Sequence, residues 1–135
     1  MVSQFPITLR HRAKGFHIVT TEVTDALGEL PKSGLLHLFI QHTSAALAVN
    51  ENADSTVRDD LNLSFDRLAP DDAGYKHDDE GPDDMPAHVK SVITGSSISI
   101  PIVNGKLALG TWQGIYLCEF RTSAADRKLV ATVIS

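Results

Sequence analysis

The sequence predicts an α+β fold, an antiparallel β-sandwich-like core carrying about three short helices. Three observations lead there. Ile98, Ile100 and Ile102 alternate with Ser97, Ser99 and Pro101, the period-two pattern of a half-buried strand. Asn104-Gly105 follows and is a strong two-residue hairpin signal, so Leu107-Ala108-Leu109 returns antiparallel. Elsewhere the spacing switches to a helical period. Val23, Ala26, Leu27 and Leu30 share one helical face, as do Val57, Leu61, Phe65 and Leu68. Antiparallel strands with helices inserted between them make α+β. At 135 residues the chain is expected to form one domain, residues 1–135, with its own hydrophobic core.

Taken in order, Phe5, Ile7 and Leu9 alternate and predict the first strand. After Ala13-Lys14-Gly15 a second short strand runs through Phe16, Ile18 and Thr20. The first helix follows, with Thr20 or Thr21 as its N-cap and Pro31 and Gly34 ending it. Leu35 to Gln41 is nearly all apolar and reads as a central strand covered on both faces. Ala45 to Val49 supplies a partner strand or tight return. Asp54 or Ser55 caps the second helix, and Pro70 stops it. A third helix has Val89, Val92 and Ile93 as its apolar residues and ends at Gly95. The last third is β. A glycine-bracketed turn, Gly110 to Gly114, presents Trp112 and Gln113. The next strand places Ile115, Leu117, Glu119 and Arg121 on one face and Tyr116, Cys118 and Phe120 on the other. Leu129 to Ile134 forms the terminal strand.

Composition narrows the function classes. The formal charge is −5 and the pI about 5.6, with no basic run longer than Arg127-Lys128. Nucleic-acid binding, which needs clustered Lys and Arg, is not expected. The single cysteine, Cys118, sits in the apolar run IYLCEF and reads as a core residue in a reducing compartment. No signal-peptide pattern or membrane-spanning run is visible, so a soluble cytoplasmic protein without membrane partners is expected.

The chemistry concentrates in YKHDDEGPDDMPAHVK, Tyr75 to Lys90. His77 and His88 flank Asp78, Asp79, Glu80, Asp83 and Asp84, and Gly81-Pro82 prevents one helix from spanning the segment. Pro86 suits the first helical position, and Asp83 or Asp84 can cap it. The segment is therefore expected to fold back and bring two imidazoles and several carboxylates to one helix N-terminus. A solvated acidic loop is the plainer reading, and a metal or acid–base site the sharper one. His42 ends a strand beside Thr43 and Ser44, so His42, His77 and His88 match the count of a catalytic zinc site. Glu119 and Arg121, two apart on one strand, read either as a structural salt bridge or as an acid–base group beside an anion-binding arginine.

The strings HTSAALAVNENADSTVRDDL and YKHDDEGPDDMPAHVKSVITGSSISIPIVNGKLALGTWQGIYLCEFR resemble the YjbQ family of small bacterial and archaeal proteins over nearly the whole chain. The resemblance implies an α+β fold with a β-sandwich core, assembly as a homotrimer, and a weak, secondary thiamine-phosphate synthase activity. His42, Thr43, Ser44, Glu51, Asn52 and Asp54 match the first motif of the family. His77, Asp83, Asp84 and His88 match the second, and Trp112, Gln113, Glu119 and Arg121 the third. The sequence departs at Ser55, where proline is common, and at Phe120, where histidine is common. The roles implied are Glu51, Asp84 and Glu119 as catalytic groups, and Thr43, Ser44, Asn52, Trp112, Gln113 and Arg121 as substrate-binding groups. His42, His77 and His88 would be ligands of a divalent metal such as zinc.

The expected function is thus a small-molecule enzyme resembling secondary thiamine-phosphate synthase, acting on a phosphorylated substrate at a histidine and carboxylate site. Arg121, the Thr43 and Ser44 hydroxyls and a divalent ion would serve the phosphates, and Trp112 would stack on a ring. A metal-dependent hydrolase fits the three histidines about as well. A noncatalytic trimeric module binding a small anion or a metal is the third reading.

Overall fold

Alternation along the strands becomes, in the computed structural model describing residues 1–135, the inward faces of two curled antiparallel sheets. The larger sheet has the order β1 (Val2–Leu9), β8 (Arg127–Ile134), β3 (Ser33–Ile40), β5 (Ser97–Val103) and β6 (Lys106–Leu107). The smaller has the order β2 (Gly15–Ile18), β7 (Gln113–Glu119) and β4 (Ala45–Glu51). Ile7, Leu9, Leu36, Leu38, Ile40, Ile100, Ile102, Leu129 and Ala131 of the larger sheet meet Leu47, Ile115 and Leu117 of the smaller in a core of 17 buried residues. Truncating a leucine there, such as Leu38 or Leu117, costs about 2–5 kcal/mol.

Helix α1 (Thr20–Leu27) closes one end of the sandwich with Val23 and Leu27. Thr20 does not cap it. Its Oγ1 instead accepts the Ile115 N–H at 2.9 Å, tying the helix start to β7. Gly28, with φ +67°, ends the helix before Pro31 is reached. Helices α2 (Ser55–Leu68) and α3 (Asp84–Thr94) lie over the other face of the smaller sheet. There Phe16, Ala46, Ala87, Tyr116, Cys118 and Phe120 form a second cluster, with Leu61 and Phe65 packed against it. Burial in that cluster pushes the Cys118 thiol up to about 12. Phe120 stacks on Phe65 at 5.8 Å, which accounts for an aromatic residue where a histidine is common.

Four expectations change in the structure. The strand covered on both faces is β7, whose residues Gly114 to Glu119 are all buried, and not β3. In β3 only Leu36, Leu38 and Ile40 face the core, whereas Leu35 and Phe39 face outward beside the partly exposed His37. Helix α2 buries Phe65 only partly and leaves Leu68 exposed, because it rides on the surface of the second cluster. Helix α3 is turned about. Val92 and Ile93 are 85% and 56% exposed, while Asp84, Ala87 and Lys90 face inward. The inward charges are tolerated because each is paired, Asp84 with Arg121 and Lys90 with Asp66. Pro86 sits at the third position of α3, where its missing N–H is still one the helix leaves unpaired.

Turn chemistry follows the sequence closely. Asn104 and Gly105 both take positive φ, 52° and 76°, as a two-residue hairpin with the twist of its strands requires. Gly34 is needed for close approach, since a Cβ there would lie 2.2 Å from the Ile134 carbonyl oxygen.

Candidate metal centre

The loop leaving α2 carries His77, turns at Gly81 (φ +103°), and enters α3 at Asp84. His88 lies one helical turn further on, so it shares a face with Asp84. The fold-back expected from the sequence is present. His77 Nε2 lies 2.6 Å from Asp84 Oδ2, and His88 Nε2 lies 3.1 Å from the same oxygen. Glu80 Oε2 is 3.1 Å from His77 Nε2. One donor atom from each of His77, Glu80, Asp84 and His88 falls within 4.8 Å of all the others. The Asp84 side chain is 4% exposed, while Glu80 is largely in solvent.

Arg121 fixes the carboxylates. Its Nη1 donates to Asp84 Oδ1 at 2.6 Å, its Nε to Asp83 Oδ2 at 3.0 Å, and its Nη2 to the Glu80 carbonyl at 2.9 Å. Asp83 does not cap α3. Its Oδ2 takes the Thr122 N–H instead, at 2.8 Å. Burial pushes the Asp84 carboxyl up, but the His77 hydrogen bond and the His88 and Arg121 charges outweigh it and hold it below the usual aspartate value. The Asp84 hydrogen bond in turn raises His77. His88 is oriented from behind, because its Nδ1 lies 3.0 Å from the Thr43 carbonyl oxygen. A carbonyl only accepts, so Nδ1 carries the hydrogen and Nε2 is the nitrogen offered to the cluster, the usual arrangement behind a metal-bound histidine.

This donor set suits a divalent transition metal. Two imidazoles and two carboxylates favour zinc or its neighbours over calcium or magnesium, which prefer oxygen alone. With neutral histidines, Glu80, Asp83 and Asp84 against Arg121 leave a local charge of −2, the complement of a dication.

The expected residues divide into three groups. His42 stands outside the cluster, with its Nε2 accepting the Lys128 N–H at 2.7 Å. Burial, then the nearby Arg127 charge, lowers its pKa. Of the expected trio of histidines, the structure brings together His77 and His88, with Asp84 and Glu80 beside them, and leaves His42 apart. Glu119 is fully buried and bonded by both oxygens to Arg127, at 2.7 Å from Nε and 2.5 Å from Nη2. Its partner is Arg127 and not Arg121, whose backbone N–H alone reaches it, at 3.1 Å. Arg127 Nη2 also donates to Ser44 Oγ at 3.1 Å, so Glu119 and Ser44 belong to a buried brace and not to an open site.

Glu51, Asn52, Trp112 and Gln113 form the third group, at the other end of the smaller sheet. Ala45 pairs with Glu119 and Glu51 with Gln113, and six residues of strand separate the two ends by about 20 Å. There the Glu51 carboxylate accepts the Ala53 and Asp54 N–H groups, and Asn52 Nδ2 donates to the Gln113 carbonyl at 2.9 Å. The oxygens of Glu51, expected to be catalytic, hold the turn into α2. Trp112 is 66% exposed. Glu80, Asp83 as a brace and Arg127 are the residues whose parts sequence reasoning missed. Arg127 left a signal, since it shares the period-two face of Leu129, Ala131 and Val133 and so had to point inward.

The same fold and motifs occur in known proteins. A family model described as UPF0047 protein YjbQ-like matches residues 5–135. The UPF0047 protein YjbQ of Salmonella typhimurium is 51% identical over 132 residues, 96% of each chain. YugU of Bacillus subtilis is 41% identical over 103 residues, 76% of each chain. A solved YjbQ/UPF0047 structure from Clostridium acetobutylicum matches with a TM-score of 0.83 at 36% identity, covering 96% of this chain and 99% of that one. A YbjQ-like protein of Sulfolobus solfataricus shares the fold, with a TM-score of 0.88 at 22% identity over 100% of this chain and 98% of that one. By the extent of these matches, the chain belongs to the YjbQ-like UPF0047 family.

Proposed function

We propose that the protein is a metal-dependent enzyme acting on a small phosphorylated compound, with His77, Asp84 and His88 as the ligands of a divalent ion. The observation that carries this reading is the convergence of both Nε2 atoms on Asp84 Oδ2, at 2.6 and 3.1 Å. Three protein ligands leaving a position open is the pattern of catalytic zinc, whereas structural zinc is closed by four. When bound, such an ion supplies Lewis acidity toward a phosphoryl oxygen and makes water a stronger acid. Glu80 Oε2, beside the cluster and open to solvent, is the carboxylate that accepts the proton of an attacking water. Arg121 keeps Asp83 and Asp84 ionised and in place, and Thr43 holds His88 in the ligand tautomer.

Hydrolysis is favoured over a transfer of the secondary thiamine-phosphate synthase kind. A transfer needs a second organic substrate beside the phosphate, and the exposed indole of Trp112 stands at the opposite end of the smaller sheet, about 20 Å away.

Elemental analysis of purified wild type beside His77→Ala and His88→Ala tests the reading. The expected result is about one transition metal per chain in wild type and its loss in both variants. No metal in wild type after supplementation with zinc, manganese or iron would sink it.

A further inference from the structure

A cleft of about 410 Å³ opens between α3 and the start of β4, lined by His42, Thr43, His88, Ser91, Val92 and Ser96 among others. Its two imidazoles each have a ring nitrogen fixed by the backbone, His42 by a donor N–H and His88 by an acceptor carbonyl. The Lys128 N–H only donates, so His42 Nε2 accepts and carries no hydrogen. The ring is then neutral with its hydrogen on Nδ1, and that nitrogen has no hydrogen-bond partner within the protein. His88 spends its Nδ1 hydrogen on Thr43 and turns its Nε2 toward Asp84 Oδ2, at 3.1 Å. The rest of the polar lining is hydroxyl. No carboxylate and no Lys or Arg side chain lines the cleft.

We propose that His42 is a substrate-binding residue, its Nδ1–H donating to a phosphoryl oxygen held in this cleft beside His88. The proposal rests on the metal-centre reading and deepens it, since it sets the anion on the His42 side of the ion and removes His42 from the ligands. Three features favour an oxyanion there. The lining has donors to offer in the His42 Nδ1–H and the Thr43 and Ser96 hydroxyls, it has no carboxylate to repel an anion, and it adjoins the dication site through His88. A cleft of this size lies at the low end for ligand pockets and suits the phosphomonoester of a small metabolite. A neutral imidazole used as a donor is a known way to polarise a substrate oxygen.

Inorganic phosphate is the probe, titrated calorimetrically into wild type, His42→Phe and His42→Asn, each with and without zinc. His42→Phe is expected to hold the same zinc per chain as wild type and to bind phosphate about tenfold or more weakly, as the loss of one hydrogen bond to a charged acceptor requires. His42→Asn places an amide donor near the Nδ1 position and is expected to recover most of that affinity. Should His42→Phe not fold, His42→Gln takes its place, keeping an acceptor for Lys128 and placing no donor at Nδ1. Unchanged phosphate affinity in the donor-free variant overturns the proposal, as does phosphate-free behaviour of zinc-loaded wild type. Loss of zinc with His42 overturns it too, because His42 would then be a ligand. If wild type takes up no metal, the metal-centre reading fails by itself. Phosphate binding to the metal-free protein then decides for His42 if it depends on the donor, and against it if not.

Discussion

Replacing Glu119 by glutamine decides whether that carboxylate is a chemical group or a brace. It keeps the side chain's shape and removes its charge. In the native protein both oxygens are engaged by Arg127, and the two side chains are 0% and 8% exposed. The substitution leaves a guanidinium in the interior against a neutral partner. Removing one member of a buried pair costs about 3–5 kcal/mol. The glutamine carbonyl still accepts one Arg127 N–H, which sets the expectation at about 3 kcal/mol. For a chain of this length that lowers the melting temperature by about 10 °C. Circular dichroism melts of Glu119→Gln, with metal content measured per folded chain, make the test. The expected result is the lower melt with undiminished metal. Adding Arg127→Met should recover a good part of the loss, because an apolar pair of similar volume replaces an orphaned charge. A melt within about 2 °C of wild type, together with lost turnover, would refute the brace and return Glu119 to the chemistry.

Two further outcomes follow from the geometry. Asp66 accepts from Lys90 Nζ at 2.7 Å and pairs with Lys14 at 2.6 Å. Burial raises its pKa, but these lysines outweigh it and leave it below the usual aspartate value. A carboxyl depressed by folding stabilises the protein above its unfolded pKa and ceases to as pH falls through the folded one. Wild type should therefore lose its stability advantage over Asp66→Asn below about pH 4, and urea midpoints at pH 7 and pH 3 that differ between the two proteins by the same amount would contradict this. The outer face of the larger sheet presents Leu35, Phe39, Val103 and Ile134 uncovered in the single chain. We propose that this face is covered by copies of the chain in a homotrimer, so light scattering should give three times the chain mass of 14.6 kDa. A mass of one chain would exclude it.

The strands were the legible part. Alternation at Ile98 to Ile102, the Asn104-Gly105 turn and the Asp54 cap each depend on neighbours within a few residues, and each stands where expected. The convergence of His77 and His88 was also legible, because Gly81-Pro82 forces the chain back over a short distance. What periodicity does not carry is which faces meet. The parity of Glu119 on β7 and of Arg127 on β8 can be read separately, but their pairing crosses from one sheet to the other. Placement at a strand end and the count of histidines grouped His42 with the others, but only the sheet register brings Lys128 to its ring. Likewise Glu51 and Glu119 resemble one another as strand-end carboxylates, yet the pairing of β4 with β7 sends them to opposite ends.

The reversal of α3 bears on how this protein can be redesigned. Polarity-guided surface improvement would keep Asp84 and Lys90 as typical surface residues and guard Val92 and Ile93 as core. On the single chain the opposite holds, for the two charges are 3% and 1% exposed and the two aliphatic residues stand in water. A library that randomises α3 by hydrophobicity would therefore discard the paired carboxylate and ammonium first, and with them the packing of the helix. Variation is better spent at position 93, which is exposed and lies outside the cleft lined by Val92.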